Sequence, residues 1–298
     1  MIVSKKRKNV KMIPVIDFNS SYADQHIEDA YTSTGFAVFT NCLTETEQSD
    51  IDCWFNEMKN FFELDLKIKN KYPYEGDTNL GYSIMGAENV DPTAPKDMKE
   101  SFNYNNQRMP NYLWPTELPD FKATALESIN VADKLTLRIL ERFDRILKCG
   151  TTLVDAHLKP FNTTRVIHYP AYDGHINDRQ MRIGEHSDYG TITLLWQINN
   201  VPGLEVQDIK GNWHPVPYAD NGVVVNIGDL LQRWTNNYFK STKHRVVNSH
   251  IHLPRYSMPH FVDPTPGTIV ENLRFHEAPH YPPIESKEYL MWRLAQSY

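Results

Sequence analysis

Beyond Gly150 the chain breaks into short apolar or alternating runs, at 164–169, 191–197, 204–207, 223–227, 244–247 and 255–261, with turn-forming residues between them. Successive side chains of a strand point to opposite faces, so short strands at this spacing bury their apolar faces best as an all-β sandwich or barrel. Ahead of Gly150 the pattern is mixed. Residues 13–17 read as a strand, 21–33 as a helix ended by Gly35, and 36–39 as another strand. Thr44 and Glu47 have the spacing of a capping box, which opens a helix through Trp54, Phe55, Met58 and Phe62. A long helical pattern with Leu135, Ile139, Phe143 and Ile146 on one face spans 118–147 and is stopped by Cys149-Gly150. Between them, 72–119 is rich in Pro, Gly, Asn and Asp, and is expected to be a long excursion with little regular structure that forms a lid or pocket wall. The fold class is mainly β with flanking helices: a mixed α/β part over 13–150, a β core over 151–298, and one domain over 13–298.

Composition narrows the function classes. A chain of 298 residues with 40% hydrophobic and 23% charged residues can bury a sizeable core. Its 31 basic and 37 acidic residues leave a net charge of −6, which gives no broad electrostatic footprint for nucleic acid. No segment approaches the roughly 18 consecutive apolar residues of a membrane-spanning helix. Cys42, Cys53 and Cys149 lack CxxC spacing and are odd in number, which favours a reducing, cytoplasmic setting. The basic run Lys5, Lys6, Arg7, Lys8 and Lys11 reads as a flexible tail over 1–12, because Pro14 and Asp17 follow where a secretion signal needs apolar residues. The expected partner is a small-molecule substrate, with no nucleic acid and no membrane, for a monomer or weak homo-oligomer.

The chemistry is concentrated in Gly184-Glu185-His186-Ser187-Asp188-Tyr189-Gly190, just ahead of the run at 191–197. Residues two apart in extended chain share a face, so His186 and Asp188 can grip one metal ion, and a neighbouring strand carrying His244 can supply a third ligand. Two imidazoles and a carboxylate on one face of an octahedron suit Fe(II) and leave positions open. A His-x-Asp pair alone is more often a surface histidine beside an acid than a metal site. Arg255 and Ser257 lie downstream, again on one strand face, where a guanidinium and a hydroxyl can clamp a carboxylate. His250, His252 and His260 lack a carboxylate two positions away and are set aside as ligands. Trp196, Trp213 and Trp234 read as core, and Asp229 as a residue that shapes the approach to His244.

With these motifs the chain resembles the iron(II)- and 2-oxoglutarate-dependent oxygenases of the isopenicillin N synthase-like class over nearly its whole length. The motifs are Ile13-Pro14-Val15-Ile16-Asp17, Gly35-Phe36, Gly81-Tyr82, Asp97-Met98-Lys99-Glu100, Trp114-Pro115, Tyr169-Pro170, His186-x-Asp188, Gly203-Leu204-Glu205-Val206, Val224-Val225-Asn226-Ile227-Gly228-Asp229, His244-Arg245-Val246 and Arg255-x-Ser257. The resemblance implies a double-stranded β-helix, or jelly-roll, core. It implies His186, Asp188 and His244 as catalytic iron ligands, and Arg255, Ser257 and Tyr169 as the residues that bind 2-oxoglutarate as cosubstrate with O2. The implied activity is a dioxygenase that hydroxylates a small organic molecule and releases succinate and CO2. Phe261, Arg165, Ser101 and Tyr82 occupy positions that line the substrate pocket in relatives, and the run 185–190 is similar to that of members acting on small heterocycles such as thymine.

Two departures stand out. Thr40-Asn41-Cys42-Leu43 replaces a family Asn-His-Gly, so no histidine role transfers there. Thr235-Asn236-Asn237 replaces a Ser-Asn-Gly, and Asn is the side chain that best tolerates the left-handed backbone glycine would have taken. Other readings stay open from the residues. They are an iron oxidase of the same fold that does not use 2-oxoglutarate, ethylene-forming fragmentation of 2-oxoglutarate, a non-catalytic receptor on this scaffold, and a zinc hydrolase.

Overall fold

The expected capping box forms: the Thr44 hydroxyl accepts from the Glu47 N–H at 3.2 Å and the Glu47 carboxylate accepts from the Thr44 N–H at 2.9 Å. The structure is a computed structural model describing residues 13–88, 95–176, 180–274 and 276–295; the expected basic tail over 1–12 lies outside the described residues. The N-terminal part runs β1 (Val15–Asp17), α1 (Ala23–Ser33), β2 (Phe36–Thr40), α2 (Glu45–Glu63), α3 (Leu66–Lys69), β3 (Gly81–Ser83), β4 (Glu100–Tyr104), α4 (Phe121–Leu147) and α5 (Thr152–Ala156). Then follow β5 (Thr163–Tyr169), β6 (Ile183–His186), β7 (Ile192–Gln197), β8 (Leu204–Gln207), β9 (Trp213–Pro215), β10 (Val223–Ile227), α6 (Asp229–Trp234), β11 (His244–Val246), β12 (Arg255–Val262), β13 (Ile269–Val270), β14 (Ile284–Glu285) and α7 (Ser286–Leu294).

Two sheets make the core. The larger has the order β1-β2-β10-β7-β12-β5-β4-β3 and the smaller β6-β11-β8-β9. Alternation along the strands explains why the large sheet is covered on both faces. In β2, Ala37 and Phe39 pack into the main cluster with the buried faces of α1, α2 and α4, whereas Phe36 and Val38 point into a second cluster with Leu204, Val206 and Val246 of the smaller sheet. β10 repeats the division, with Val223 and Val225 on the helical side and Val224 on the other. This two-sheet sandwich with helices on the outside is the jelly-roll arrangement that the resemblance implies, and it agrees with the sandwich or barrel expected from the run of short strands.

The segment 72–119 is more ordered than its composition predicts. β3 and β4 extend the large sheet through the β4–β5 register Ser101↔Ile167 and Asn103↔Arg165. All of β4 is buried, and its polar residues mimic a loop because each is satisfied inside. Glu100 takes Lys69 Nζ and His168 Nδ1 at 2.8 Å each, and Asn103 donates to Asn79 Oδ1 at 2.9 Å. The turn before β11 survives the loss of glycine as anticipated, with φ of 54° at Asn236 and 66° at Asn237.

One glycine is fixed by close approach. A Cβ at Gly228 would stand 2.1 Å from the carbonyl oxygen of Gly190, which sits in the segment linking β6 to β7. Backbone cannot yield as a side-chain tip can, so Gly228→Ala is expected to cost about 3 kcal/mol, the upper end for overpacking. A thermal melt should show a fall of several degrees, and an unchanged midpoint would contradict this packing.

Candidate metal centre and cosubstrate pocket

Antiparallel pairing of β6 with β11 sets His186 directly opposite His244, and Asp188 follows just past the end of β6. The imidazole centroids are 4.2 Å apart, and Asp188 Oδ1 lies 3.7 Å from His244 Nε2 and 4.0 Å from His186 Nε2. One ligand atom from each residue lies within 4.8 Å of the others, which is a group able to hold a metal ion.

The atoms behind these three decide which face each ligand presents. His186 Nδ1 is bonded to the Gly184 carbonyl at 2.9 Å and His244 Nδ1 to the Thr242 carbonyl at 3.1 Å. A carbonyl can only accept, so both Nδ1 atoms carry the proton and both Nε2 lone pairs face Asp188. Asp188 Oδ2 accepts from the Thr193 hydroxyl at 2.6 Å and from Asn226 Nδ2 at 2.7 Å, which leaves Oδ1 for the metal. Burial, then the neighbouring His244, pushes the His186 imidazole down to about 4, so the ring is held neutral. Burial acts to raise the Asp188 carboxyl, but His244, His186, Thr193 and Asn226 outweigh it and hold the group below the usual carboxylate range. Asp229 ties the two ligand segments together. Its carboxylate accepts from Ser187 Oγ at 2.9 Å and from Ser241 Oγ, and its N–H donates to the Asp188 carbonyl at 2.8 Å.

The triad opens onto a cavity of about 660 Å³ between the two sheets. Across it, β12 pairs with β5 so that Arg255 faces Tyr169 and Ser257 faces Ile167. Arg255 is 1% exposed, donates from Nη1 to Ser257 Oγ at 3.2 Å, and stacks 4.9 Å from the Tyr169 ring centroid. Ser257 also hydrogen-bonds Tyr169. The Nε and Nη2 of Arg255 are buried with no partner among the described residues. A buried guanidinium missing two of its bonds is a costly feature unless a ligand supplies an acceptor, and a carboxylate matches its fork. The donor set and this orphaned fork therefore fit Fe(II) and 2-oxoglutarate.

Among the other anticipated residues, Phe261 and Arg165 line the same cavity. Arg165 is neutralised there: its Nη1 meets Glu88 Oε2 at 2.8 Å and its Nε donates to Asn103 at 2.7 Å. Ser101 and Tyr82 do not line the cavity. Ser101 donates to Glu88 Oε1 at 3.1 Å, and the Tyr82 hydroxyl donates to Glu100. His260 is held by Thr164 Oγ1 at 2.8 Å in the core, while Trp196 and Trp234 are buried in the main cluster. Sequence reasoning passed over Thr193 and Asn226 as supports of Asp188. It also passed over Arg182, which is 1% exposed, 5.7 Å from the Tyr169 ring and bonded to the Leu253 carbonyl at 2.7 Å. Nothing in the local pattern around Arg182 marks it, because its role depends on a strand register rather than on spacing.

Comparison with known proteins agrees with this geometry. Residues 161–264 match the 2OG-Fe(II) oxygenase superfamily, and residues 13–121 match the non-haem dioxygenase in morphine synthesis N-terminal family. The chain is 32% identical to the proline hydroxylase buaE of Petromyces alliaceus, over 92% of this chain and 93% of the relative. It is 32% identical to the 2-oxoglutarate-dependent dioxygenase htyE of Aspergillus rugulosus, over 88% and 90%. The crystal structure of a full-length Neurospora crassa protein in complex with alpha-KG superposes with a TM-score of 0.86 at 31% identity, covering 96% of each chain. The same protein with alpha-KG and thymine gives 0.84 at 31% identity, covering 96% of this chain and 97% of that one. The chain belongs to the 2OG-Fe(II) oxygenase superfamily. It is a non-haem iron, 2-oxoglutarate-dependent dioxygenase that uses O2. No helix among the described residues is long and apolar enough to cross a membrane.

Proposed function

We propose that His186, Asp188 and His244 hold the iron, that Arg255, Ser257 and Tyr169 hold the far carboxylate of 2-oxoglutarate, and that the enzyme hydroxylates a small organic molecule in the cavity beside Phe261. The observation that carries the reading is the orphaned Arg255 fork facing a three-ligand group across one cavity. Iron(II) with 2-oxoglutarate and O2 supplies the oxidant, the cosubstrate leaving as succinate and CO2.

The chain's own residues do the rest. Gly184 and Thr242 carbonyls hold both imidazoles in the tautomer that offers Nε2, and Thr193 with Asn226 keeps one carboxylate oxygen turned away from the iron. Arg255 and Ser257 fix one end of the cosubstrate, so its 2-oxo acid end reaches the ligand group in a single orientation. Apolar walls from Leu195, Leu204 and Val246 limit water around the reacting atoms. Hydroxylation is supported by the kinship with a protein named proline hydroxylase, and a small cyclic substrate by a relative that binds thymine. Free Cys42, Cys53 and Cys149 are consistent with a cytoplasmic enzyme, acting as a monomer or weak homo-oligomer without nucleic acid.

Anaerobic titration of the full chain with Fe(II) and then 2-oxoglutarate tests the assignment. The weak visible charge-transfer band of a 2-oxo acid chelated to iron should appear in the wild type and be lost in His186→Ala. Iron binding without the band would favour an oxidase that does not use 2-oxoglutarate, and a band retained at full intensity in His186→Ala would overturn the ligand assignment.

A further inference from the structure

β12 ends at Val262 and is followed by Asp263, a cavity-lining residue with no counterpart in the metal or cosubstrate site. Its backbone is held on both sides: the N–H donates to Asn162 Oδ1 at 3.0 Å and the carbonyl accepts from the Phe161 N–H at 3.2 Å. Its side chain is not held in the same way. The residue is 7% exposed, its Oδ1 is buried without a hydrogen-bond partner, and no ion pair to it is present among the described residues. Oδ1 packs against the backbone of Gly190, lying 2.6 Å from where a Cβ at that position would stand, so the carboxyl sits beside the ligand-bearing segment. Gly190 lacks a side chain there and lines the same cavity, so the unpartnered oxygen borders the cavity.

Arg108, whose charge reaches Asp263, does not bond it among the described residues. Arg108 donates to the Thr78 carbonyl at 3.2 Å, the Asn162 carbonyl at 3.3 Å and Thr163 Oγ1 at 2.9 Å, and its guanidinium lies 3.9 Å from the Phe161 ring centroid. None of these bonds is to Asp263, which Arg108 reaches only through its charge. Burial pushes the Asp263 carboxyl up to about 7, against the pull of Arg108, which is the expected consequence of an acid held dry without a donor. A protein that leaves a buried acceptor unsatisfied in a rigid frame at its active cavity destabilises itself, unless a ligand completes the bond.

We propose, on the basis of the functional reading above, that Asp263 is a specificity-determining residue that accepts a hydrogen bond from an N–H group of the substrate. The substrate is then a small nitrogen compound, and the N–H belongs either to a neutral amide or imide or to an ammonium group. A substrate lacking a donor leaves the carboxyl dry and unpartnered, so it is rejected by the cost of that burial and not by size.

The test uses the full chain loaded with Fe(II) and 2-oxoglutarate and measures succinate released with matched probes. The probes are thymine against 1,3-dimethylthymine, 2-pyrrolidone against N-methyl-2-pyrrolidone, and L-proline against its N,N-dimethyl derivative. At least one N–H probe is expected to stimulate release tenfold or more over its methylated partner, and Asp263→Ala is expected to raise the KM for that probe at least tenfold. Asp263→Asn retains an acceptor oxygen without the charge. It should keep a neutral amide or imide probe within a few-fold of wild type and lose an ammonium probe, so it separates the two sources by a rescue that a structural role would not produce. Equal stimulation by N–H and N-methyl partners, no stimulation by any N–H probe, or a wild-type KM in Asp263→Ala each overturns the inference. If the wild type fails to form the 2-oxoglutarate charge-transfer band, the functional reading falls and this inference with it; if the band forms, these outcomes bear on Asp263 alone.

Discussion

Arg255→Gln is expected to raise the 2-oxoglutarate concentration needed for half-maximal turnover by about 150- to 4,000-fold, and at the same time to raise the melting temperature of the cosubstrate-free protein. The guanidinium is 1% exposed, yet among the described residues it bonds Ser257 Oγ alone, and its Nε and Nη2 have no partner there. Arg182 stands on the same tyrosine ring with its Nε and Nη1 also unpartnered. Burial and the neighbouring Arg255 both hold the Arg182 pKa below its usual value. Two buried cations beside each other are unfavourable until an anion arrives. Removing one member of a buried ion pair costs about 3–5 kcal/mol, and that interval corresponds to the fold-change above. The rise in melting temperature follows from the same cause with opposite sign, because without cosubstrate the variant no longer buries an uncompensated charge. Arg255→Lys should fall between the two, since it keeps the charge but loses the fork. Steady-state kinetics in 2-oxoglutarate together with thermal melts check both halves, and a variant with unchanged KM and a lower melting temperature would make Arg255 a structural residue.

Much of this site was legible in the chain because its members lie on strands, where spacing of two converts directly into a shared face. His186 with Asp188, and Arg255 with Ser257, were readable in that way, and His244 was readable as their partner only through an assumed neighbouring strand. The structure supplies that neighbour in the β6–β11 register. Helix boundaries were readable from local chemistry, as in the Thr44 and Glu47 cap. What was not legible depends on contacts between distant segments. Glu100, Ser101 and Asn103 look like loop residues until β4–β5 pairing brings His168, α3 brings Lys69, and the segments flanking β3 bring Asn79 and Glu88 to them. Arg165 was placed at the substrate pocket by the resemblance alone, and nothing near it in the chain announces Glu88, 77 residues away, which takes its charge. Asp263 carries no motif at all; it is conspicuous only because the fold brings no donor to it.

Asp188→Asn is nearly isosteric, yet it is expected to lower iron affinity by more than about a hundredfold, beyond the range of losses at residues that merely support a ligand. The reason lies behind the carboxylate. Oδ2 accepts from Thr193 Oγ1 at 2.6 Å and from Asn226 Nδ2 at 2.7 Å, so an amide in its place must turn its carbonyl oxygen towards those two donors. Its NH2 then occupies the position of Oδ1, between the Nε2 atoms of His244 and His186, and an amide nitrogen has no lone pair to give a metal. The fold should survive, because the variant trades a buried charge for a neutral group of the same shape, and its melting temperature should stay within a few degrees of wild type. Anaerobic Fe(II) titration and the loss of 2-oxoglutarate-dependent succinate formation provide the readings. The double variant Asp188→Asn/Asn226→Asp reverses the polarity at the supporting position, lets the amide NH2 donate backwards and turns its carbonyl oxygen to the iron. Part of the lost affinity should therefore return, and a double variant no better than the single one would show that Asn226 does not set the orientation of this ligand.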